Sequence, residues 1–293
     1  MRLVRNPFSP FRREKVLSFW SYVGRYFGLV LLAAFNLFPV IYMLVVSFEN
    51  GTAAQTPSKI IPSWSDFSFE GYQKVFSNLQ FLRGLGNTLT VCVLCILGVL
   101  IGATFCAYGL TKVHFKGQKF IFILILGTVF LPGTVTSIPL FTIYSKIGWC
   151  NTLYPLWVPM WFGGGAMNIF LIRQFMRGIP KSLHESAKID GANSFQILVT
   201  IIVPLIRPIL LYLAIMTFLS CWNDYSTPLL YLTNSSSPKT LALLLFEVFD
   251  QDKSFKLNAQ MATGVLMMIP TSILFSFFQK EITEGVSTAG LKV

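Results

Sequence analysis

The chain has 293 residues, of which 54% are hydrophobic and 12% charged, with a formal net charge of +11. Soluble domains carry roughly 25% charged residues, so the composition excludes a soluble globular protein; apolar runs of about 18 or more residues recur, each able to cross about 30 Å of hydrocarbon. The basic excess follows the loop bias described next and gives no reason to invoke nucleic acid.

The expected fold class is an all-α membrane protein with about six transmembrane helices, near residues 25–48, 85–110, 120–143, 153–172, 197–220 and 259–279. The first run is too long and too late for a cleaved signal peptide, and no small-residue cleavage site follows it, so it is expected to stay as an anchor. Orientation follows Lys and Arg. Arg2, Arg5, Arg12, Arg13, Lys15 and Arg25 lead the chain, Lys112, Lys116 and Lys119 fill the second loop, and Arg173, Arg177, Lys181 and Lys188 the fourth. Lys59, Lys74, Arg83, Lys146, Lys239, Lys253 and Lys256 fall on the alternate face; with Arg207, Lys280 and Lys292 the split is 16 to 7 of the 23 basic residues. Both termini are therefore expected in the cytoplasm. The organisation reads as a cytoplasmic segment over 1–24, a first helix with its outer loop over 25–84, a core domain over 85–280 and a cytoplasmic tail over 281–293.

The first outer loop contains "SWSDFSFEGYQKVF", aromatic and alternately polar, which is expected to fold against the outer mouth of the bundle. Cys92 and Cys95 form a C-x-x-C inside span two with no second pair and no neighbouring histidine, so packing outweighs metal or redox chemistry. Cys150 and Cys221 fall near the outer face, where a bridge is conceivable but nothing calls for it. Span three carries Pro132 and Pro139, and span four carries Pro155, Pro159 and Gly163 to Gly165. Breakers survive in membrane helices where protein or a water-filled cavity satisfies the freed backbone groups, so both spans are expected to face protein or a pathway. The glycine run lacks a Lys-Ser/Thr partner and reads as a kink or a close helix contact. "TNSSSPK", Thr233 to Lys239, reads as a turn-rich tip.

No Asp, Glu, Lys, Arg or His lies deep within any span. A charge there costs at least about 2.5–3.5 kcal/mol and is kept mainly for proton relays, ion sites or voltage sensing, so those functions lose their usual signature; sodium coupling through backbone carbonyls stays open. Nothing supplies energy within the chain: it contains no G-x-x-x-x-G-K-[ST], no H-E-x-x-H and no G-x-S-x-G. His114 and His184 are too few and too separated for a metal site and read as surface residues. No carboxylate or histidine cluster marks an enzyme's interface.

Between spans four and five the chain turns polar in an ordered way, "IPKSLHESAKIDGANSFQILVTIIVPLIRP", Ile179 to Pro208. Ser182 with Glu185 has the S-x-x-E spacing of a capping box. Leu183 and Ala187 fall one turn apart, as neighbours on a helix face, Gly191 is placed as a left-handed terminator, and Asn193 with Gln196 offers a second cap. A helix of about eight residues over 183–190 is marginal alone in water, so a second helix, the membrane surface or a partner's groove must hold it. Glu185 is a cap in the bland reading and a polar contact to a partner in the sharp one, and the two are compatible.

At these residues the chain resembles a family. Glu185, Ala187, Gly191, Ile201 and Pro204 match the cytoplasmic "EAA" loop of binding-protein-dependent ABC importer permeases, with Ser186 in place of an alanine and Val203 in place of a leucine. "GNTL" (Gly86 to Leu89), "AYGLTKVHFKGQK" (Ala107 to Lys119), "LPGTVTSIPLF" (Leu131 to Phe141), "IGWCNTLYPLWVP" (Ile147 to Pro159), "FLSCWNDYSTPLLYL" (Phe218 to Leu232) and "EGVSTAGLKV" (Glu284 to Val293) look like its carbohydrate branch. The chain is most similar to the second permease subunit of maltose-type and other oligosaccharide importers, from about Leu85 onward; the first 84 residues match in layout.

The resemblance implies a division of labour: two permease subunits form the pathway, two ATPase subunits each receive one EAA loop, and an extracytoplasmic sugar-binding protein delivers carbohydrate. No cofactor is then expected in this chain, because the ATPase partners hold ATP and Mg. By position, Ser182, Leu183, Glu185, Ala187, Asp190 and Gly191 would couple to the ATPase as part of a cytoplasmic coupling helix, and the resemblance implies that the tail Glu284 to Val293 also reaches toward the ATPase pair. Trp222, Asn223, Asp224 and Tyr225 are candidates for sugar contact or the outer gate, and Trp149, Trp157 and Trp161 have the same chemistry, although an interfacial aromatic belt is the favoured reading for each tryptophan. The implied location is the bacterial cytoplasmic membrane. A stand-alone secondary transporter, a membrane enzyme and an ABC permease for a non-sugar solute are the rival readings.

Overall fold

The computed structural model describes residues 19–51, 64–113, 115–245 and 257–290. The N-terminal arginine cluster, Lys59, His114, Lys253, Lys256 and the last three residues of the tail lie outside them. The described residues form helices: α1 (Phe19–Ser47), α2 (Glu70–Ser77), α3 (Leu79–Lys112), α4 (Gln118–Gly127), α5 (Gly133–Lys146), α6 (Tyr154–Trp157), α7 (Ala166–Arg177), α8 (Lys181–Ile189), α9 (Ser194–Ile197), α10 (Val203–Leu205), α11 (Arg207–Trp222), α12 (Ser226–Tyr231) and α13 (Leu257–Gly290). A further helical stretch covers 241–245.

Four helical segments are long and apolar enough to cross a membrane, at Tyr22–Ser47, Leu79–Lys112, Tyr154–Arg177 and Leu257–Gln279; two bent pairs bring the total to as many as six. The expected third span is α4 and α5, which meet at 101°, and the fifth is the pair Ser194–Leu205 and Arg207–Trp222, which meet at 78°. Proline chemistry locates both bends. Pro132 has no N–H to continue the ladder from α4 and sits extended at φ −59°, ψ 135°. Pro208 likewise cannot donate to the carbonyl of Pro204, four residues back. Ahead of that bend, 198–202 form a wide π-helical turn, a geometry frequent at functional sites. Pro139, by contrast, is carried inside α5.

α3 is the central strut. Its 34 residues contain no proline and span about 51 Å at 1.5 Å per residue, so it projects beyond the hydrocarbon. Helices in lipid gain nothing from hydrophobic exclusion and associate by close packing and hydrogen bonds, which favours small residues at contacts. A side chain at Gly98 would meet Trp161 Cδ1 at 2.7 Å, and one at Gly102 would meet the Trp161 carbonyl at 2.9 Å. Trp161 Nε1 donates to the Leu94 carbonyl at 3.1 Å. Gly163, Gly164 and Gly165 carry φ of 98°, 67° and 93°, so the expected kink and the expected close contact are the same feature. Asn168 Nδ2 donates to the freed Gly164 carbonyl at 2.6 Å. Cys92 and Cys95 are buried in α3's packing, Cys95 Sγ against the Leu156 carbonyl at 3.3 Å, and Cys150 and Cys221 are free thiols.

The segment between α1 and α3 docks on the bundle, as expected. Val75 of α2 is buried with Cys92, Trp222 and Ala259, and Gly71 lies so close that a Cβ would stand 2.8 Å from the Asn258 carbonyl oxygen. Phe48, Phe67, Phe69 and Tyr72 stack at the exit of α1. Glu49 is 5% exposed there. Burial first, then the charge of Asp66, raises its carboxyl above the ordinary value. A carboxyl raised in the folded state binds its proton more tightly folded than unfolded, so the associated stability is full below the ordinary carboxylate range and is lost as pH rises through the raised value. Glu49→Gln is therefore expected to raise the unfolding temperature at neutral pH and to match the parent at acid pH. An equal temperature at both would show that Glu49 carries no such penalty.

α1 stands nearly bare, with 6% of its apolar window buried. The breaks are also open on this chain: Phe130 and Phe162 are each 84% exposed. The glycine run itself packs on α3, where a Cβ at Gly164 would lie 2.9 Å from Val99 Cα, so the expected protein contact is met on that side, while Phe130 and Phe162 point away from the described helices of this chain.

Candidate functional site

The polar stretch forms an elbow of two helices. Its first arm, α8, begins at Lys181 behind Pro180, which takes the N-cap position at φ −54°, ψ 137° with no side-chain cap bond. The expected Ser182–Glu185 capping box is thus corrected. Proline's fixed φ starts the helix two residues early, so Ser182 is already inside it and cannot take the extended geometry a cap needs. The second expected cap is present in full: Asn193 Oδ1 accepts from Gln196 N at 2.9 Å and Gln196 Oε1 accepts from Asn193 N at 2.8 Å. Asn193→Ala should cost about 1 kcal/mol, seen as a lowered unfolding midpoint in detergent, whereas Ser182→Ala should leave it unchanged. Equal effects would contradict this assignment.

Gly191 ends α8 in the left-handed region at φ 82°. The Ala192 N–H donates to the Ala187 carbonyl at 3.0 Å and the Gly191 N–H to the Lys188 carbonyl at 3.1 Å, the paired bonds of a Schellman ending. Ala187 is buried in the core cluster with Tyr108, Met176, Ile197 and Leu198. Leu183 is 44% exposed and does not share that inner face, and Ile189 is 87% exposed. Glu185, Ser182, Asp190 and Gly191 are exposed as well. His184, expected on the surface, is half-buried with its ring 6.3 Å from that of Tyr108. The outward face therefore presents Leu183, Glu185, Ile189 and Asp190. Ile189 was not singled out from sequence; its signal is an apolar residue beside a helix-ending Asp-Gly in an otherwise charged segment.

At the opposite end the structure separates the four residues of "WNDY". Trp222 is 1% exposed, stacks on Phe218 at 5.5 Å and donates to the Met267 carbonyl at 3.0 Å, pinning α11 to α13. Asn223 is exposed, and Asp224 Oδ1 accepts from Thr227 N at 3.0 Å, ordering the turn into α12. Tyr225 is half-buried against Tyr144, Tyr231 and their neighbours. An aromatic ladder unseen as a unit in the sequence runs Tyr144, Trp149, Tyr154, Trp157, Trp161, with successive ring centroids 5.5, 6.0, 6.1 and 6.5 Å apart. It leads from the α5–α6 loop to the glycine break. Among the described residues no group of three or more His, Cys, Asp or Glu is placed to hold a metal.

Broken membrane helices around an unclosed face, with a structured polar elbow at one end, define a helical transport subunit. The chain belongs to the binding-protein-dependent transport system inner membrane component family, whose model matches residues 10–287, well before the point where the motif resemblance begins. It is a multi-pass protein of the bacterial cell membrane. It is 31% identical over 269 residues to the trehalose/maltose transport system permease protein of Thermococcus litoralis, covering 90% of this chain and 95% of that one. It is 29% identical over 282 residues to the galactooligosaccharides transport system permease protein of Bacillus subtilis, covering 95% and 98%. Its fold matches a chain of a bacterial ABC transporter involved in import of the acidic polysaccharide alginate at TM-score 0.76 and 25% identity, covering 89% of this chain and 98% of that one.

Proposed function

We propose that this chain is the transmembrane permease subunit of an ATP-driven importer for an oligosaccharide or related carbohydrate, forming half of the translocation pathway. The observation that carries this reading is the open face. Phe130, next to the α4–α5 break, and Phe162, next to the glycine break, stand exposed, and backbone freed at membrane depth needs protein or a water-filled cavity beside it. A second permease subunit supplies the one and the pathway supplies the other. The carbohydrate assignment is supported by the named relatives and by the aromatic ladder, whose faces suit sugar rings; a sugar-binding protein on the outer side would deliver the substrate.

Both termini and the α8–α9 elbow lie in the cytoplasm, following the basic-residue bias. There α8 is the coupling helix: Leu183, Glu185, Ile189 and Asp190 enter a cleft of one of two ATPase subunits, which bind ATP and Mg, while Ser182, Ala187 and Gly191 set its pose. The α13 helix continues past the membrane to Gly290, long enough to approach the same partner. Closure of the ATPase pair shifts the elbow, and differential affinity of the two nucleotide states for two bundle shapes drives alternating access. This chain then has no catalytic residue. Asn223 and Tyr225 face sugar or the outer gate, and Trp222 and Asp224 hold that gate's frame.

Reconstitution tests the reading. Proteoliposomes carrying the chain with its second permease and ATPase subunits, supplied with sugar-loaded binding protein, should take up oligosaccharide only when ATP is enclosed. Uptake by the chain alone under an ion gradient would favour a secondary transporter, and ATP-driven uptake confined to a non-sugar solute would replace the substrate class.

A further inference from the structure

The elbow is joined to more than the span that follows it. Three residues on one face of α3, spaced three and four apart as helix neighbours are, each meet a different part of it. Phe105 stacks on Phe195 of α9, centroids 6.3 Å apart and 12° from parallel. One turn on, Tyr108 lies against His184 of α8 at 6.3 Å and is 6% exposed. Lys112 Nζ donates to the Ile179 carbonyl, just before α8, at 3.3 Å. The far end of the same helix holds the loop that leads from α12 toward α13. Asn87 Nδ2 donates to the Lys239 carbonyl at 2.9 Å. Thr88 Oγ1 accepts from Leu241 N at 2.8 Å, capping from α3 the helical stretch that opens there. Thr88 and Tyr108 are separated by 20 helical steps without a break, about 30 Å, locked midway by Trp161 in the gap at Gly98.

We propose that α3 is the transmission rod of this subunit, with Tyr108 as the positioning residue that seats the coupling helix on it and Thr88 as the one that passes its motion to the outer loop at 239–241. Displacement of the elbow is then felt on the outer face through one rigid body, independently of the bend in span five. The inference rests on the importer reading and adds a prediction that reading does not contain. If two sites act through one rod they are coupled, whereas residues this far apart with no shared element lose function additively.

The test is a double-mutant cycle on oligosaccharide uptake by the reconstituted transporter, with Tyr108→Ala, Thr88→Val and the pair. Each single variant should retain its ATPase partners at the parent stoichiometry and hydrolyse ATP at the basal rate, while uptake falls roughly tenfold, within the range of coupling between distant sites. The pair should lose no more than the worse single variant. Tyr108→Phe, which keeps the ring, should transport as the parent does. Losses that multiply in the pair, or full uptake in Tyr108→Ala, overturn the rod while leaving the importer standing. A parent chain that never assembles with an ATPase overturns the importer reading and the rod with it. Should Tyr108→Ala fail to accumulate in the membrane, His184→Ala removes the other side of the same contact and takes its place in the cycle.

Discussion

Gly191→Val is expected to leave the protein in the membrane with its partners bound and ATP hydrolysed, while sugar uptake falls at least tenfold. Gly191 sits at φ 82° with nothing within 4 Å of the place a Cβ would occupy, so the substitution meets no neighbour. Its cost is conformational. A β-branched residue in the left-handed region is strained by on the order of 1–3 kcal/mol, and α8 relieves that by giving up the bonds from Gly191 and Ala192 that close it. The angle between the two arms is then no longer fixed, and a moving ATPase would turn α8 without turning what α8 is attached to. Asn, which tolerates this region, should be milder than Val, and Glu185→Ala should uncouple in the same sense by removing a contact without changing the angle. ATP hydrolysis and uptake measured on the same proteoliposomes read the ratio directly. An unchanged ratio in Gly191→Val would show that the turn does not transmit force.

Gly164→Ala is expected to fail earlier, at folding. Its φ is 67°, and a Cβ there would lie 2.9 Å from Val99 Cα, 3.0 Å from the Val99 carbonyl oxygen and 3.1 Å from Ala103 Cβ. Two of those atoms are backbone of α3, which cannot move aside without opening the Trp161 contact at Gly98. Overpacking of this kind costs about 1–3 kcal/mol and the left-handed residue about 1–2 kcal/mol more, together a large share of typical stability. Little protein should reach the membrane, and what does should unfold at a markedly lower temperature. Gly163→Ala makes the comparison informative. It has a similar strain at φ 98°, but a Cβ there meets nothing nearer than 3.6 Å, so it should be tolerated better. Equal accumulation of the two would remove close packing as the reason for the glycine run.

The spans were legible because hydropathy and length decide them. Where a span bends was only partly legible. Pro132 and Pro139 look alike in sequence, yet one breaks the helix and the other is carried inside it, because carrying a proline depends on neighbours that re-satisfy the freed carbonyl. The elbow shows the same limit at smaller scale. Asn193 with Gln196 and Ser182 with Glu185 carry the same cap spacing, and only the first forms, since Pro180 has already set where α8 begins. The conformation of Gly191 was legible because left-handed backbone has few alternatives to glycine. Trp222 and the ladder from Tyr144 to Trp161 show what single residue types do not tell: whether an indole faces a ligand or its own bundle is settled by tertiary neighbours, and Trp222 faces the bundle. Ile189 escaped notice because one apolar residue in a polar helix breaks the pattern by which helix faces are read.

That exposed isoleucine also offers the most direct check on the importer reading. A photoreactive amino acid in place of Ile189, irradiated in membranes containing the assembled transporter, should form a cross-linked product whose partner carries a nucleotide-binding P-loop, with yield that changes between ATP-bound and nucleotide-free states. The same group in place of Phe277, 76% exposed on α13, should not capture that partner. Irradiation that leaves the Ile189 position uncoupled to any ATPase in either nucleotide state would contradict an elbow driven by ATP.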